Sequence, residues 1–559
     1  MSTVFASHWL MGSTVDMSLL LNQLWYTPYW YPTLLLAVMT FVLYRYIALP
    51  LYLSPLSRIP NAHPLAALTP LWMDWRRYTS REYETVHEAF EKHGPVVRLG
   101  PNEIAINTRN VINRVYGSGL ENFDKATWYE FFINHGKRNT FTSLGADHAA
   151  RRKVVNGIYG KSYLQRSRHV QAIIAELING RLLPVVREAI VSGSPIDILE
   201  TSIAYGVDFL TAFEFGLPQS TDFLRKASSR KSWLDLHRRA HPLEYMFWFL
   251  EHWHLTKLLV KVGLNVVPKA YFQADADYDA WGTEFVEKTE CALQEGLSEE
   301  ATPSGDWPIE YYQLRKAMAQ ELDLSEGSFL TPTEKQKLEL ASECLDHINA
   351  TRDIIPTVLP LVFYYLSKHS DAQIRLRVEL RSLQKPLWYR QGNPTCVSNA
   401  ALPEPATLEN LPYLGAVLKE SIRLRNGLPV LNPRVTPSGR RTTLGPYRDI
   451  PSGVRIVACG YCLHRNEEIF PECKRWMPER WLDSTKEELS AMNELFWGFG
   501  SGSRQCLGRN VAMELLRFAI AAIYTNFETV VVDDAMFNDK MLITGSLKEK
   551  LLLSVKHAA

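Results

Sequence analysis

The stretch Phe499-Gly-Ser-Gly-Ser-Arg-Gln-Cys-Leu-Gly508, near the C-terminus, says most about this chain. Glycines flank Cys506 on both sides, and Arg504 lies two residues before it. Glycine lets the backbone turn sharply and approach a flat ligand closely. An arginine at this spacing can pair with a carboxylate on that ligand and help to hold the sulfur as a thiolate. The stretch therefore predicts a loop that presents one thiolate to a flat, acidic ligand.

A lone thiolate is a poor zinc site, because zinc takes four protein or solvent ligands. It suits a haem iron, whose four equatorial ligands come from the porphyrin. The pattern Phe-x-x-Gly-x-Arg-x-Cys-x-Gly resembles the cysteine loop of the cytochrome P-450 superfamily, with all five specified positions met at 499, 502, 504, 506 and 508. The alternative is a buried structural cysteine, since a free cysteine usually behaves as a small hydrophobic residue.

The resemblance implies haem b with Cys506 as its axial ligand, in a haem-thiolate monooxygenase. No Gly-rich nucleotide motif of useful quality appears in the chain, so we expect electrons to come from NADPH through a separate reductase, with cytochrome b5 as a second candidate donor. Predicted strands close to both ends of a mainly helical body favour one mixed domain. The fold class is therefore mainly α with small β-sheets (α+β), which is also what the resemblance implies.

Two further motifs precede the cysteine loop in the order that the superfamily shows. Glu420-x-x-Arg423 lies on a predicted helix over 413–425, and Pro478-Glu-Arg-Trp481 follows it. The resemblance implies that Glu420, Arg423 and Arg480 form a buried triad that locks the fold and does no chemistry. Taken alone, Glu-x-x-Arg would be a solvated surface pair worth under ~1 kcal/mol.

The two propionates of a haem need cationic partners, and the resemblance implies where they lie. The candidates for cofactor binding beside Cys506 are Arg504, Arg434, Arg152, His148 and Phe499. The alternative for the basic run at 151–153 is a solvated face, and we expect one arginine to point inward and the others outward, toward a reductase.

A long apolar run over 341–367 predicts a central helix. Its segment Ala350-Thr-Arg-Asp-Ile-Ile355 matches the family's proton-delivery motif but replaces both hydroxyl residues with isoleucine. The predicted catalytic residues are Asp353 in the proton path, with Thr351 or Thr357 as substitute hydroxyls. Water or a substrate hydroxyl could serve instead, the reaction could be an atypical oxidation such as ring expansion, rearrangement or coupling, or bound peroxide could be used.

The resemblance implies which segments form the substrate pocket: 123–144, 349–355, 428–432 and 544–547. These segments are mostly apolar, which suits a lipophilic small molecule. The predicted pocket residues are Trp128, Phe131, Phe132, Ala350, Ile355, Val430 and Leu547.

Composition sets the remaining limits. The chain has 559 residues and a formal net charge of +1, so bulk charge predicts no nucleic-acid partner. Seven cysteines, an odd and sparse number, argue against a disulfide framework and suit a reducing compartment.

The N-terminal region predicts a membrane anchor. Residues 1–30 are predicted to be luminal, 31–52 to span the membrane, 53–65 to form a stiff, non-helical, proline-rich hinge and 66–559 to form the catalytic domain. Arg45 is the only charged residue between Tyr29 and Leu53. It lies on the C-terminal side of the apolar run, so the positive-inside rule places the body in the cytosol. A cleaved signal peptide would need a basic start, which the chain lacks. We therefore expect a single-pass protein of the endoplasmic reticulum membrane.

The run Phe496–Arg504 is similar to that of fungal microsomal members that tailor secondary metabolites. Three functions stay open at this point: a monooxygenase fed by a reductase, a reductase-independent haem isomerase or peroxygenase, and a non-catalytic haem-binding protein.

Overall fold

The computed structural model describes residues 30–117, 123–242, 245–321, 332–389, 402–425, 432–537 and 549–559. The α-helices are α1 (Trp30–Leu43), α2 (Leu71–Tyr78), α3 (Glu82–His93), α4 (Arg109–Tyr116), α5 (Gly145–Val155), α6 (Lys161–Arg166), α7 (Arg168–Ala175), α8 (Leu183–Ser192), α9 (Ile198–Phe215), α10 (Ala227–Ala240), α11 (Met246–Leu250), α12 (Trp253–Lys261), α13 (Ala270–Gln294), α14 (Ile309–Glu321), α15 (Glu334–Lys368), α16 (Ser370–Arg381), α17 (Pro405–Glu409), α18 (Pro412–Leu424), α19 (Gly460–Leu463), α20 (Arg480–Asp483), α21 (Lys486–Leu495) and α22 (Arg509–Asn526).

The strands are β1 (Val96–Gly100), β2 (Glu103–Ile106), β3 (Asp124–Lys125), β4 (Ile196–Asp197), β5 (Arg434–Val435), β6 (Thr442–Leu444), β7 (Tyr447–Ile450), β8 (Arg455–Val457), β9 (Phe527–Asp533) and β10 (Leu552–His557). They form sheets in the orders β1-β2-β8-β5-β3, β4-β10-β9 and β6-β7. Only the β2–β8 pair is parallel among the described strands. The predicted mainly α fold with small sheets is confirmed.

The central helix α15 is 35 residues long and forms the middle of the core. The helix begins at Glu334, earlier than the apolar run predicted. Thr333 is its N-cap, and the side chains of Thr333 and Gln336 form a capping box that stabilises this start. The helix continues through Pro356 and Pro360 as one element. Its inward face, with Leu361 and Val362 fully buried, belongs to the largest hydrophobic cluster, to which α9, α14 and α22 also contribute.

The N-terminal segment is an exposed apolar helix. Residues Tyr31–Leu53 have a mean hydropathy of 1.9, and none of them is buried against the body, so this 23-residue segment is a candidate membrane span. Pro50, at the end of the predicted span, lies inside π-helical turns over Tyr44–Leu53. The hinge predicted over 53–65 is not wholly non-helical: Pro55–Arg58 form a 3₁₀ turn after Ser54, whose side chain accepts a hydrogen bond from the Leu56 amide. Proline is tolerated at the first position of such a turn, which explains the difference.

Candidate active site

The cysteine loop lies against α4 and leads directly into α22. The Cys506 amide donates a hydrogen bond to the carbonyl of Phe499 at 2.9 Å, which closes the loop. Gly502 has φ +68°, and a Cβ there would collide with the carbonyl oxygen of Tyr116 at the end of α4. This glycine is therefore required for contact with a neighbouring backbone, whereas the sequence suggested contact with a flat ligand.

Burial and the neighbouring polar groups shift the pKa of the Cys506 thiol in opposite directions. Burial raises the pKa of the thiol, while the backbone amide of Gly508, the charges of Arg152 and Arg509, and the Arg509 amide lower it. These amides belong to the N-terminal end of α22, where the helix dipole favours negative charge. The loop therefore provides hydrogen-bond donors and cations that stabilise the negative charge of a Cys506 thiolate bound to a ligand.

Cys506 lies in the wall of a large cavity with about 1610 Å³ of empty space, part of it open to solvent. Every residue predicted to bind the cofactor lines this one cavity: His148, Arg152, Arg434, Phe499, Arg504 and Cys506. They come from α5, β5 and the cysteine loop, which are far apart in sequence.

Cationic groups crowd this part of the cavity. The Arg152 Nη1 donates to the Gln505 carbonyl at 2.6 Å, and the Arg434 Nη1 donates to the Tyr129 hydroxyl at 2.8 Å. Arg504 pairs with Asp124, but its buried Nε has no hydrogen-bond partner among the described residues.

Two neighbouring groups show that this cluster has surplus positive charge. Burial lowers the pKa of Lys125 to about 7, with Arg504 and Arg434 adding to the effect. Burial, then Lys125 and the arginines, lowers the pKa of His148 to about 3. A ligand that carries two carboxylates would relieve this repulsion and occupy the free donor of Arg504. The residues present therefore fit a haem, with Cys506 on the iron and the cations on the propionates.

We expect Arg152→Gln to release haem faster. A hydrogen bond to a charged group contributes about 1.5–3 kcal/mol, so the dissociation rate should rise roughly ten- to hundred-fold. Transfer of haem to an excess of apomyoglobin measures this rate. Lys153→Gln is the matched control, because Lys153 is exposed on the same helix. Equal rates for the two variants would contradict the assignment of Arg152.

The structure brings Glu420, Arg423 and Arg480 together. Both Glu420 oxygens accept from Arg423, at 2.8 and 2.9 Å, and Oε1 also accepts from the Arg480 Nε at 3.0 Å. The Trp481 indole donates to Oε2 at 2.9 Å. Glu420 and Arg423 have no solvent exposure, so this is a buried ion cluster and not a surface pair.

His464 connects this cluster to the cysteine loop. Its Nδ1 lies 3.0 Å from the carbonyl of Arg423, and its Nε2 accepts from the Trp497 amide at 2.8 Å. Burial, followed by the charge of Arg423, lowers the pKa of His464 to about 3, so the ring is neutral and can accept at Nε2. The triad therefore positions the loop that carries Cys506 through one imidazole.

The central helix passes the cavity with Ala350, Thr351 and Ile355 in its wall. A Cβ on Gly206 of α9 would lie 3.2 Å from Thr351 Cγ2 and 3.3 Å from Ile355 Cβ, so α9 packs closely against this turn. Thr357 is fully buried and lies outside the described lining, and the side chain of Asp353 lies outside the described residues. Thr351 is the hydroxyl residue of this helix that the structure places at the cavity.

Three predicted pocket residues do not reach the described lining. Trp128 packs on Tyr129 and Phe132, and Phe131 stacks on Phe249, with ring centroids 5.0–5.3 Å apart. They lie in a 3₁₀ turn, Thr127–Phe132, of which Tyr129 lines the cavity. Trp128 is buried, and Phe131 and Phe132 are half-buried against other aromatic rings. Val430 and Leu547 lie outside the described residues.

The pocket segment predicted over 123–144 contains the cavity residues Lys125, Tyr129 and Phe141, although it did not single them out. Sequence reasoning also missed the cavity residues Tyr116, Tyr159, Asp346 and His347. Asp346 and His347 lie about one turn before Ala350 on α15, so helical periodicity could have found them. The others come from separate elements, and no local pattern marks them.

Comparison with known proteins agrees with this geometry. A family model described as cytochrome P450 matches residues 64–556. The chain is 28% identical over 450 residues to "Cytochrome P450 monooxygenase avaI" of Aspergillus versicolor, covering 77% of this chain and 94% of that protein. It is 25% identical to "N-acetyltryptophan 6-hydroxylase ivoC" of Emericella nidulans (88% and 90% covered) and to "Cytochrome P450 monooxygenase oblB" of Cochliobolus heterostrophus (91% and 92% covered).

Proposed function

The chain belongs to the cytochrome P450 family, and from that premise we propose that this monooxygenase oxidises a lipophilic small molecule in fungal secondary metabolism, at the endoplasmic reticulum membrane. The observation that carries the proposal is one cavity whose lining joins Cys506 to Arg152, Arg434 and Arg504 and to a largely apolar wall. The names of the fungal relatives, one of them a hydroxylase of N-acetyltryptophan, support a small-molecule substrate.

In this proposal each residue group has a separate task. A haem held here would supply oxygen activation. Cys506 would provide its thiolate ligand, and Arg152, Arg434, Arg504 and His148, which line the same cavity, would hold its carboxylates. The Thr351 hydroxyl and the apolar side chain of Ile355 form the helix wall beside the substrate.

We further propose that the reaction is an atypical oxidation, such as ring expansion, rearrangement or coupling. Ile355 occupies the position where the family usually has a hydroxyl, and its hydrocarbon side chain offers the cavity no hydrogen bond. The same observation favours a second candidate, a haem isomerase or peroxygenase that needs no reductase.

Product formation is compared with NADPH and reductase, with peroxide alone, and with neither. This comparison separates the monooxygenase from the reductase-independent enzyme. Metabolite profiles of a host that expresses the chain, against one that expresses Cys506→Ala, identify the substrate class.

The membrane part of the proposal rests on exposed apolar side chains. Besides the span, Leu71 and Trp75 of α2 and Leu258 of α12 are 70%, 61% and 56% exposed. Tyr78 of α2 contacts Phe247 of α11 with ring centroids 5.6 Å apart, and α11 immediately precedes α12. We propose that the exposed apolar side chains of α2 and α12 form a second membrane-facing surface. The reductase and cytochrome b5 remain the proposed electron donors at the cytosolic side.

We expect a chain that starts at Ser54 to leave the membrane pellet in large part. Removing Tyr31–Leu53 deletes a span that no part of the body covers, and about 20 apolar residues suffice to hold a helix in a bilayer. Fractionation of microsomes in carbonate buffer measures the change. The full chain with Trp75→Ser is the control and should stay in the pellet. A truncated chain that resists carbonate as the full chain does would contradict the anchor.

A further inference from the structure

A cluster of buried acidic groups around one histidine borders the cavity on the side of α15. Its members are Glu214 of α9, Glu310 of α14, Glu343, Asp346 and His347 of α15, and Tyr159, which follows α5. All are at most 9% exposed, and Tyr159, Asp346 and His347 line the cavity. None of them belongs to the residues that we assign to the haem or to the substrate wall.

Short contacts join the cluster into one network. The His347 Nδ1 lies 2.6 Å from Glu310 Oε1, and the Tyr159 hydroxyl donates to Glu310 Oε2 at 2.7 Å. The His347 Nε2 lies 3.8 Å from Glu343, which in turn lies 3.4 Å from the partly exposed Arg151. His347 therefore lies between the innermost carboxylates and the cavity.

Glu214 is the unusual member. It has no solvent exposure, and neither of its oxygens has a hydrogen-bond partner among the described residues. Its carboxylate, that of Glu310 and the His347 ring each place one atom within 4.8 Å of the others. An isolated ionised carboxylate is very costly in a dry interior, so Glu214 takes up a proton instead. Burial, then Glu310 and Asp346, raises its pKa well above the usual value.

His347 holds a second proton. Burial alone would lower its pKa, but the carboxylates of Glu310, Glu343 and Asp346 outweigh burial and raise the pKa to about 10. The imidazolium is therefore the form that the network stabilises, with Nδ1–H donated to Glu310.

A metal ion fits the three central residues poorly. Two ligands about 2.0–2.1 Å from a tetrahedral zinc lie ~3.3 Å apart, whereas His347 Nδ1 and Glu310 Oε1 are at hydrogen-bond distance. The Tyr159 hydroxyl also occupies the second oxygen of Glu310.

We propose that Glu214, Glu310 and His347 form a proton reservoir that supplies the cavity from the α15 side. The Nε2–H bond of His347 breaks and the proton passes to an acceptor in the cavity. The ring is then neutral and keeps its Nδ1–H on Glu310. Glu214 gives its O–H proton to a water molecule, which returns a proton to Nε2, so the imidazolium is restored and Glu214 stays ionised until solvent reprotonates it. The proposal rests on the proposed oxidation, which consumes protons, and it assigns their source to residues outside the segment 350–355.

Charged groups from every neighbouring element act on the reservoir. Lys125 of β3 and Arg151 of α5 lie on the cavity and surface sides, Asp346 and Glu343 on the same helix, and Glu214 and Glu310 on α9 and α14. Burial raises the pKa of Asp346 to about 7, so this carboxyl changes charge near neutral pH at the cavity wall. The reservoir should therefore empty more slowly above pH 7, where the ionised Asp346 stabilises the imidazolium.

Infrared difference spectroscopy of the resting holoenzyme tests the stored proton without turnover. We expect a carbonyl stretch of a buried, protonated carboxyl at pH 7 that shifts in D₂O, disappears in Glu214→Gln and persists in Glu214→Asp. Glu290→Gln is the matched control, because Glu290 is equally buried but paired with Arg315 and Tyr311. Carboxyl bands that are the same in Glu214→Gln and in the native protein overturn the proposal, as does one extra zinc per chain in metal analysis; the part of the signal that comes from Asp346, whose pKa is raised by burial to about 7, is common to both proteins.

The second measurement is coupling, which is the amount of product formed per NADPH consumed. Product formed per NADPH should fall roughly ten-fold in Glu214→Gln and in His347→Gln, with the difference appearing as hydrogen peroxide, while Glu290→Gln keeps the native ratio. Unchanged coupling in both variants overturns the proposal. Because the infrared band is measured on the resting protein, a failure of the proposed oxidation leaves that result standing, so the two failures are distinguishable.

Discussion

Replacing Cys506 with alanine is expected to abolish product formation and to remove the red-shifted absorption of the reduced carbonyl adduct. The shift arises from sulfur ligation, and no other cysteine lines the described cavity. Alanine keeps the loop's backbone geometry, because the Cys506 amide and not its side chain closes the loop on Phe499. The loss of activity should exceed a hundred-fold, since the axial thiolate is what favours O–O cleavage.

Haem content and the carbonyl spectrum are measured on the same preparation, so that loss of haem and loss of sulfur ligation are read separately. Cys459→Ala is the control. Cys459 is buried against β1, β2 and α3, in a cluster away from the cavity, and its thiol should matter only for packing. That variant should lose about 1 kcal/mol of stability and keep the shifted band. A Cys506→Ala protein that retains the shifted band would disprove the assignment of the axial ligand.

The cysteine loop could be predicted from sequence because its chemistry is local. Arg504, Cys506 and the glycines lie within ten residues, and each position meets a separate steric or electrostatic need. Two helices could be predicted because their patterns are also local: the helix expected over 413–425 is α18, and the helix expected over 341–367 lies within α15.

The cavity's remaining chemistry could not be predicted in this way, because it depends on packing between distant elements. His347 acquires its partners only when α9 and α14 pack against α15, and Lys125 acquires three backbone carbonyls from the loop over 140–143. At the aromatic turn over 127–132, the sequence predicted cavity residues that the structure places elsewhere. Apolar composition predicted a pocket wall, whereas Trp128 packs on Phe132, Phe131 stacks on Phe249, and Tyr129 is the residue of this turn that lines the described cavity.

Glu420→Gln is expected to destabilise the protein more than any substitution outside the cavity that we consider. The carboxylate accepts from both arginines, from the Trp481 indole and from the Met477 amide at 3.0 Å. A glutamine offers one acceptor and places an NH₂ group against donors, and it leaves two buried arginines without their counter-charge. Removing one partner of a buried ion pair costs about 3–5 kcal/mol.

Because His464 links this cluster to Trp497, the loss should reach the cysteine loop. We therefore expect Glu420→Gln to lower the thermal midpoint by roughly 5–10 °C and to convert part of the reduced carbonyl adduct to the form without sulfur ligation. Glu472→Gln is the matched control. Glu472 pairs with Arg475 at the same spacing and at 3.1 Å, but these side chains are 60% and 67% exposed, so the cost should stay under ~1 kcal/mol. If both variants melted together and kept intact sulfur ligation, burial of the triad would contribute nothing to the geometry of the loop, and the cysteine would have to be positioned by its own glycines alone.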